Sequence, residues 1–234
     1  MTRQPHTTRL QKLGGLAALT EALTFVIGFA LFFTALAAAD YGNFSEPVKN
    51  AAFLAENESL LNVWHFVIYI VFGIALVPLA LALRERLSES PTLAQLGAVF
   101  GFIWAVLVIA SGMVANVGGG VVSSLYAQDP EAAGALWINM QVMVDALGGG
   151  NEVVGGVWLL LVSWAALSVN QLPRALNLLG LLVGAAAVLT NVPLLSEIGG
   201  IIFGLGLIVW FIWAGLVLLR SKPAPRVQAE GQYA

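Results

Sequence analysis

The sequence predicts an all-α, polytopic transmembrane helix bundle of six spans with one additional external amphipathic helix. Three observations lead there. The 234 residues are 59% hydrophobic and only 10% charged, with a mean hydropathy of +0.88, whereas soluble domains carry roughly 25% charged residues. The apolar residues form runs of about 18 to 25, the length a helix needs at 1.5 Å per residue to cross roughly 30 Å of hydrocarbon, and too long for the strands of a membrane barrel. With the spans placed, nine of the ten Lys and Arg residues fall on one side and only Lys49 on the other, as the preference of short inner loops for basic residues requires.

Residues 1–13 form a polar leader with Arg3, Arg9 and Lys12, and the first span follows at about 14–38. Its end, Ala37-Ala38-Ala39-Asp40, resembles a signal-peptidase site. The apolar stretch is nevertheless longer than the 7–15 residues of a signal peptide, and it contains Glu21, so we read a retained helix. Residues 40–62 are a polar external loop. The second span, about 63–83, has Trp64 and Tyr69 near its outer end, where an interfacial belt places aromatic residues, and Pro78 inside it. Arg84-Glu85-Arg86 and a Ser/Pro turn return the chain to the third span at about 93–116.

Gly118-Gly119-Gly120 opens the next external loop, and Pro130 is placed to begin a helix. Residues 131–147 mix Trp137, Met140 and Met143 with Asn139, Gln141 and Asp145, a pattern of an external amphipathic helix rather than a crossing. The fourth, fifth and sixth spans are about 150–169, 175–192 and 197–219. Asn170 to Arg174 makes the inner turn, and Pro193 breaks the chain between the last two spans. Residues 14–219 thus form a single transmembrane domain, and 220–234 a polar tail with Arg220, Lys222 and Arg226. The charge asymmetry places both termini in the cytoplasm, and the composition suits a bacterial inner membrane.

The outer side carries nine carboxylates against Lys49. Such a surface attracts cations, and it is also what excluding basic residues from exported loops leaves behind. Leu96-Gly97-x-x-x-Gly101 echoes Leu179-Gly180-x-x-x-Gly184. The pair reads as tandem hairpins of the kind found in some transporters, or as small-residue helix packing.

The most unusual stretch is Asp145 to Glu152, with Gly148-Gly149-Gly150-Asn151 between the two acids. As a helix it would align Asp145, Gly148, Gly149, Glu152, Gly155 and Gly156 on one face. Three glycines also weaken a helix by roughly 1 kcal/mol each, so the chain could open there and expose its carbonyls. It reads either as a hinge packed against a neighbouring helix or as a ligand or cation site. Sorted by depth, His65, Asn116, Asn151, Glu152, Asn191 and Glu197 lie near the outer ends of the spans. With Asp145, all of these except Asn191 are the candidate ligand- or cation-binding set. The competing structural roles are an interfacial histidine for His65 and an acid favoured by the helix dipole for Glu197. Glu21 sits about two turns inside the first span, where an ionisable group is costly unless it faces the bundle or stays protonated. It is a candidate proton or cation relay, or it reaches toward the inner interface. Trp104 and Trp158, near mid-membrane, could line an apolar pocket or simply pack.

No cysteine is present, which removes disulfides, thiolate nucleophiles and iron–sulfur ligation. With only His6 and His65, bis-histidine haem and histidine-rich metal oxidation are excluded. No phosphate loop, nucleophile elbow or zinc-protease motif occurs, and nothing points to nucleic acid. No cofactor is implied, and catalysis by carboxylates alone is left open. The stretch from Gly148 to Trp158, followed by Leu172-Pro173-Arg174-Ala175-Leu176-Asn177-Leu178-Leu179-Gly180, resembles bacterial six-span membrane proteins grouped as a domain of unknown function. That resemblance covers spans two to six and implies the six-helix architecture without an activity. The expected function is binding or translocation of a small solute or cation, with the lipid bilayer as the constant partner. The alternative is an accessory subunit docked on another membrane protein or on a second copy of itself.

Overall fold

In the computed structural model, which describes residues 4–149 and 152–220, all regular structure is helical. Nine α-helices follow in order: α1 (Gln4–Leu31), α2 (Pro47–Glu56), α3 (Glu58–His65), α4 (Phe72–Arg86), α5 (Pro91–Tyr126), α6 (Pro130–Val144), α7 (Val153–Val169), α8 (Arg174–Leu189) and α9 (Ser196–Arg220). Three stretches are wound as wider π-helical turns: Phe32–Leu36 after α1, Phe66–Val71 joining α3 to α4, and Asp145–Gly149 after α6. Proline stands in the first turn of α2, α5 and α6, where its missing N–H has no intrahelical partner to lose. Asp129 caps α6 by accepting from the Ala132 N–H at 3.0 Å.

The runs 9–36, 58–86, 91–126, 130–169 and 193–220 are long and apolar enough to cross a membrane, and α8 is a shorter apolar helix. The chain is a polytopic transmembrane helix bundle in which α1 packs on α4 and α9, α4 on α5, α5 on α7, α7 on α8, and α8 on α9. One end of the bundle gathers Arg9, Lys12, Arg84, Arg86, Arg174 and Arg220, while Lys49 belongs to the other end. The first is the basic end and the second the acidic end.

Several boundaries differ from the sequence reading. Residues 4–13 are helical and continuous with α1, because the buried Gln11 side chain donates to the Ala82 carbonyl at 2.9 Å. The helix of the second span starts at Glu58, and α2 occupies much of the expected 40–62 loop. The third span does not end near Asn116. Instead α5 continues for 36 residues, about 54 Å, and carries Gly118, Gly119 and Gly120 inside it. Tertiary contact overrides their low propensity: a Cβ on Gly118 would meet Met140, and one on Gly119 would touch Leu54.

The helix at 130–144 is not a separate surface element. Gly118 faces Met140, Ser111 bonds to Val144, Gly101 faces Trp158 and Gly97 faces Val162. Each pair keeps nearly the same antiparallel register along α5, so α6 and α7 are two segments of one broken run. Two buried cores result. The larger, in the span region, includes Leu76, Leu79, Trp158, Leu176, Trp210 and Phe211. The smaller, at the acidic end, joins α2, α3, α5 and α6 through Leu54, Leu61, Val122, Trp137, Met140 and Val144. The break in the run lies where the two meet.

The echoing glycine pairs have a packing explanation. Gly97 and Gly101 of α5, and Gly180 and Gly184 of α8, all face α7. They let two helices approach α7 from either side, the usual service of small residues between helices.

Candidate ligand site at a broken helix

The break is made by Gly148, whose φ of 156° and ψ of 5° are accessible only to a residue without Cβ. A continuous helix from Asp145 to Gly156 is therefore not what forms, and the predicted single face does not exist. The chain opens instead, the second state the glycines allowed. Gly148 lies against Val108 of α5, with room for a Cβ only at 3.2 Å from the valine methyl. On one flank the Ser111 hydroxyl donates to the Val144 carbonyl at 2.9 Å, which occupies a backbone acceptor at the edge of the interruption. On the other flank Glu152 precedes the first turn of α7, and its carbonyl accepts from the Gly156 N–H at 2.8 Å.

Beside this break is a partly open cavity of about 390 Å³, bordered by Asp145, Gly148 and Glu152. Its volume falls near the lower end of the roughly 300–1,000 Å³ range of small-molecule sites. His65, Trp64 and Tyr69 approach from the second span, Tyr41 from the turn before α2, and Gln141 from α6. Gln141 donates to Asp145 Oδ1 at 2.9 Å and so orients that carboxyl. Tyr69 lines the same cavity as Asp145, Glu152 and Tyr41. The turn that carries Tyr41 is held by buried Asn50, which accepts from the Gly42 N–H and donates to the carbonyls of Asn43 and Glu46. All three π-helical stretches of the described chain contribute wall residues: Phe32 and Leu36, Ile68 and Tyr69, Asp145 and Gly148. Such turns recur at functional sites because the extra residue re-aims side chains and leaves the regular hydrogen-bond ladder.

The floor of the cavity is aromatic. Phe25, Phe72 and Trp104 line it, and ring contacts continue beneath: Phe72 to Trp104 at 5.0 Å, Trp104 to Trp158 at 5.5 Å, Trp158 to Trp210 at 5.5 Å. Trp104 thus lines a pocket as one reading held, whereas Trp158 packs behind it, fully buried.

The structure brings together some of the sequence candidates and separates others. Asp145, Glu152 and His65 border one cavity. His65 is 5% exposed, and its Nδ1 has no partner. Asn116 lies next to His65 rather than on the wall, donating to the Asn62 carbonyl at 3.2 Å. Glu197 is exposed in the first turn of α9 and away from the cavity. Asn151 lies outside the described residues. Glu21 is fully buried, with neither carboxyl oxygen hydrogen-bonded. The contacts Gly15–Gly215 and Phe29–Gly204 set the register of α1 on α9, and Glu21 falls between them, inside the bundle and separate from the cavity wall. Among the described residues no three His, Asp or Glu side chains converge as a metal ion would require.

Sequence reasoning missed Tyr41, Gln141 and the phenylalanines of the wall. One signal was present: Phe25 and Phe29 of α1 and Phe32 and Leu36 of the π-helical stretch that continues it recur at helical spacing, and all four line the cavity.

A multi-pass membrane protein with a cavity at a helix break is the class that fold and site define. In comparisons with known proteins, no family model, no curated protein and no solved structure matches this chain.

Proposed function

We propose that this chain is a bacterial inner-membrane protein, with both termini cytoplasmic, that binds or translocates a small solute or cation through the cavity at its acidic end. One observation supports the reading above all: the helix break at Gly148 puts Asp145 and Glu152 on the same cavity as His65. Interrupted helices in membrane proteins free backbone carbonyls and N–H groups near mid-bundle, and irregular backbone is tolerated at such depth only where protein or a cavity covers it. Asp145 and Glu152 attract a positive ligand, and His65 supplies a further polar contact. Glu21 lies about one turn along α1 from Thr24 and Phe25 of the cavity wall and is itself fully buried, so translocation by way of Glu21 requires that packing to open.

The test is thermal unfolding of the detergent-purified protein across inorganic cations, small solutes and pH, beside Asp145→Asn and Glu152→Gln. A ligand of the folded state raises the melting temperature as its concentration exceeds Kd. A shift present in the native protein and absent from both variants supports the reading. If no addition shifts the native protein, the reading fails. The accessory-subunit alternative then gains, and its starting surface is the exposed Val142 and Met143 of α6. The glycine pairs do not serve that alternative, since they pack within the chain.

A further inference from the structure

A second cavity, partly open and about 670 Å³ in volume, lies at the basic end, where α4 turns back into α5 beside the start of α1. Leu10 and Leu81 belong to its apolar lining, and Arg84, Glu85, Ser88 and Gln95 form its polar one. Its two charged groups are adjacent in sequence, and neighbours on a helix do not face each other. Among the described residues the only salt bridge joins Lys49 to Asp40, at the opposite end, so both charges of the crevice stand without an ionic partner. Arg86, two residues on, is engaged within the fold: its Nε and Nη2 donate to the Gln171 carbonyl at 3.1 and 3.0 Å. Toward mid-bundle the crevice is continuous with surface that faces lipid. Leu81, Val77 and Ile74 recur at helical spacing along α4, as do Gln95, Val99 and Val106 along α5. Val77, Ile74, Val99 and Val106 are exposed.

Charge complementarity selects the occupant. A plain anion would meet Arg84 and leave Glu85 facing it, and a plain cation would do the reverse. A guest that carries both signs on a short polar head matches both, and the apolar stripes below match a hydrocarbon chain. Pockets between membrane helices at the basic end of a bundle are where lipid headgroups are recognised. We propose that this crevice binds the head of a phosphatidylethanolamine, with its phosphate on Arg84 and Ser88, its ammonium on Glu85, and an acyl chain along Val77 and Val99. The guanidinium donates to phosphate oxygens in the fork geometry that suits them, and the Ser88 hydroxyl adds a donor. A primary ammonium donates to the Glu85 carboxylate, whereas the trimethylammonium of phosphatidylcholine has no N–H to offer. This site is separate from the cavity at the helix break, and it stands whether or not that cavity takes a ligand.

The experiment is native mass spectrometry of the full chain in detergent, titrated with dioleoyl phosphatidylethanolamine, phosphatidylcholine and phosphatidylglycerol. The native protein is expected to retain one phosphatidylethanolamine, about tenfold more tightly than either other lipid. Arg84→Gln and Glu85→Gln should each weaken it about tenfold. Arg174→Gln, which removes an exposed cation from the same end but not from the crevice, should leave it unchanged. Neither Arg84 nor Glu85 is buried, so these variants keep the core, and the three-lipid comparison needs no variant at all. Tightest retention of phosphatidylglycerol, with loss in Arg84→Gln alone, overturns recognition of the ammonium and leaves a simple anion site. Equal retention of all three lipids, or as large a loss in Arg174→Gln as in Arg84→Gln, overturns the site in favour of general attraction to the basic end. Displacement of the lipid by an equal concentration of O-phosphoethanolamine overturns the part assigned to the acyl chain.

Discussion

The Ser111 hydroxyl of α5 donates to the Val144 carbonyl of α6 at 2.9 Å, and both residues are buried. This bond joins the long unbroken helix to the last regular turn before the break at Gly148. It converts a conformational weakness of glycine into a defined edge, because the helix cannot slide or rewind without losing its acceptor. Ser111→Ala leaves the Val144 carbonyl buried without that donor, a loss of about 1–3 kcal/mol. We expect a lower melting temperature and faster amide exchange through residues 144–149 than in α4 or α8. Unchanged exchange there would mean that the break is held by other contacts.

Gly156 of α7 and Gly184 of α8 face each other so closely that a Cβ on Gly156 would stand 2.8 Å from the Gly184 carbonyl oxygen and 2.7 Å from Ala187 Cβ. Gly200 of α9 has nothing within 4 Å of an added Cβ. Alanine is the better helix former by about 1 kcal/mol, so space decides the sign. Gly156→Ala is expected to destabilise by about 1–3 kcal/mol through overpacking, and Gly200→Ala to be neutral or stabilising. Reversible unfolding in mixed micelles measures both.

Glu21 presents two buried carboxyl oxygens without a donor. Removing an unsatisfied polar group in favour of an apolar side chain of similar size is often neutral or stabilising. Glu21→Leu is therefore expected to melt no lower than the native protein, while abolishing any ion- or proton-coupled step that passes through this position. Strong destabilisation by Leu, with Gln tolerated, would show that Glu21 is hydrogen-bonded in the membrane and serves the fold.

Tyr41 lies outside the spans, in the turn before α2, and its hydroxyl accepts from Trp137 Nε1 at 3.3 Å. Burial pushes this phenol above its ordinary value of 10.0, the Trp137 hydrogen bond opposing the shift. The raised group favours the protonated, folded form. Its contribution is complete below the unfolded-state value near 10 and is lost as pH climbs through the higher folded value. The acidic-end core around Trp137 should accordingly loosen above about pH 10. Tyr41→Phe should lower stability by about 1 kcal/mol at neutral pH by stranding the indole N–H, and flatten the alkaline loss. Phenolate absorbance and tryptophan emission followed together across pH 8–12 in both proteins test this.

What the sequence determined by itself is position along the bundle axis. Run lengths mark out the apolar helices of the bundle, five of them long enough to cross a membrane and α8 shorter, the basic residues mark one end, and Asp145, Glu152 and His65 could be assigned to the opposite end from depth alone. The instability of the Gly148 region was also legible, since glycine weakens a helix wherever it stands. Position around the axis was not. In a membrane bundle the lipid-facing side is as apolar as the core: Leu182 and Trp164 are exposed, and Leu176 and Trp158 are buried. Hydrophobic periodicity therefore carries little contrast, and nothing local says that Glu197 turns away from the cavity while Tyr41 and Gln141 turn toward it. Only tertiary packing decided that α6 continues the line of α7 along α5, that Gly118 to Gly120 stay helical under Met140 and Leu54, and that the three π-helical turns meet on one cavity. Each of these depends on which helix lies beside which, a choice made by side-chain volumes from residues far apart in the chain.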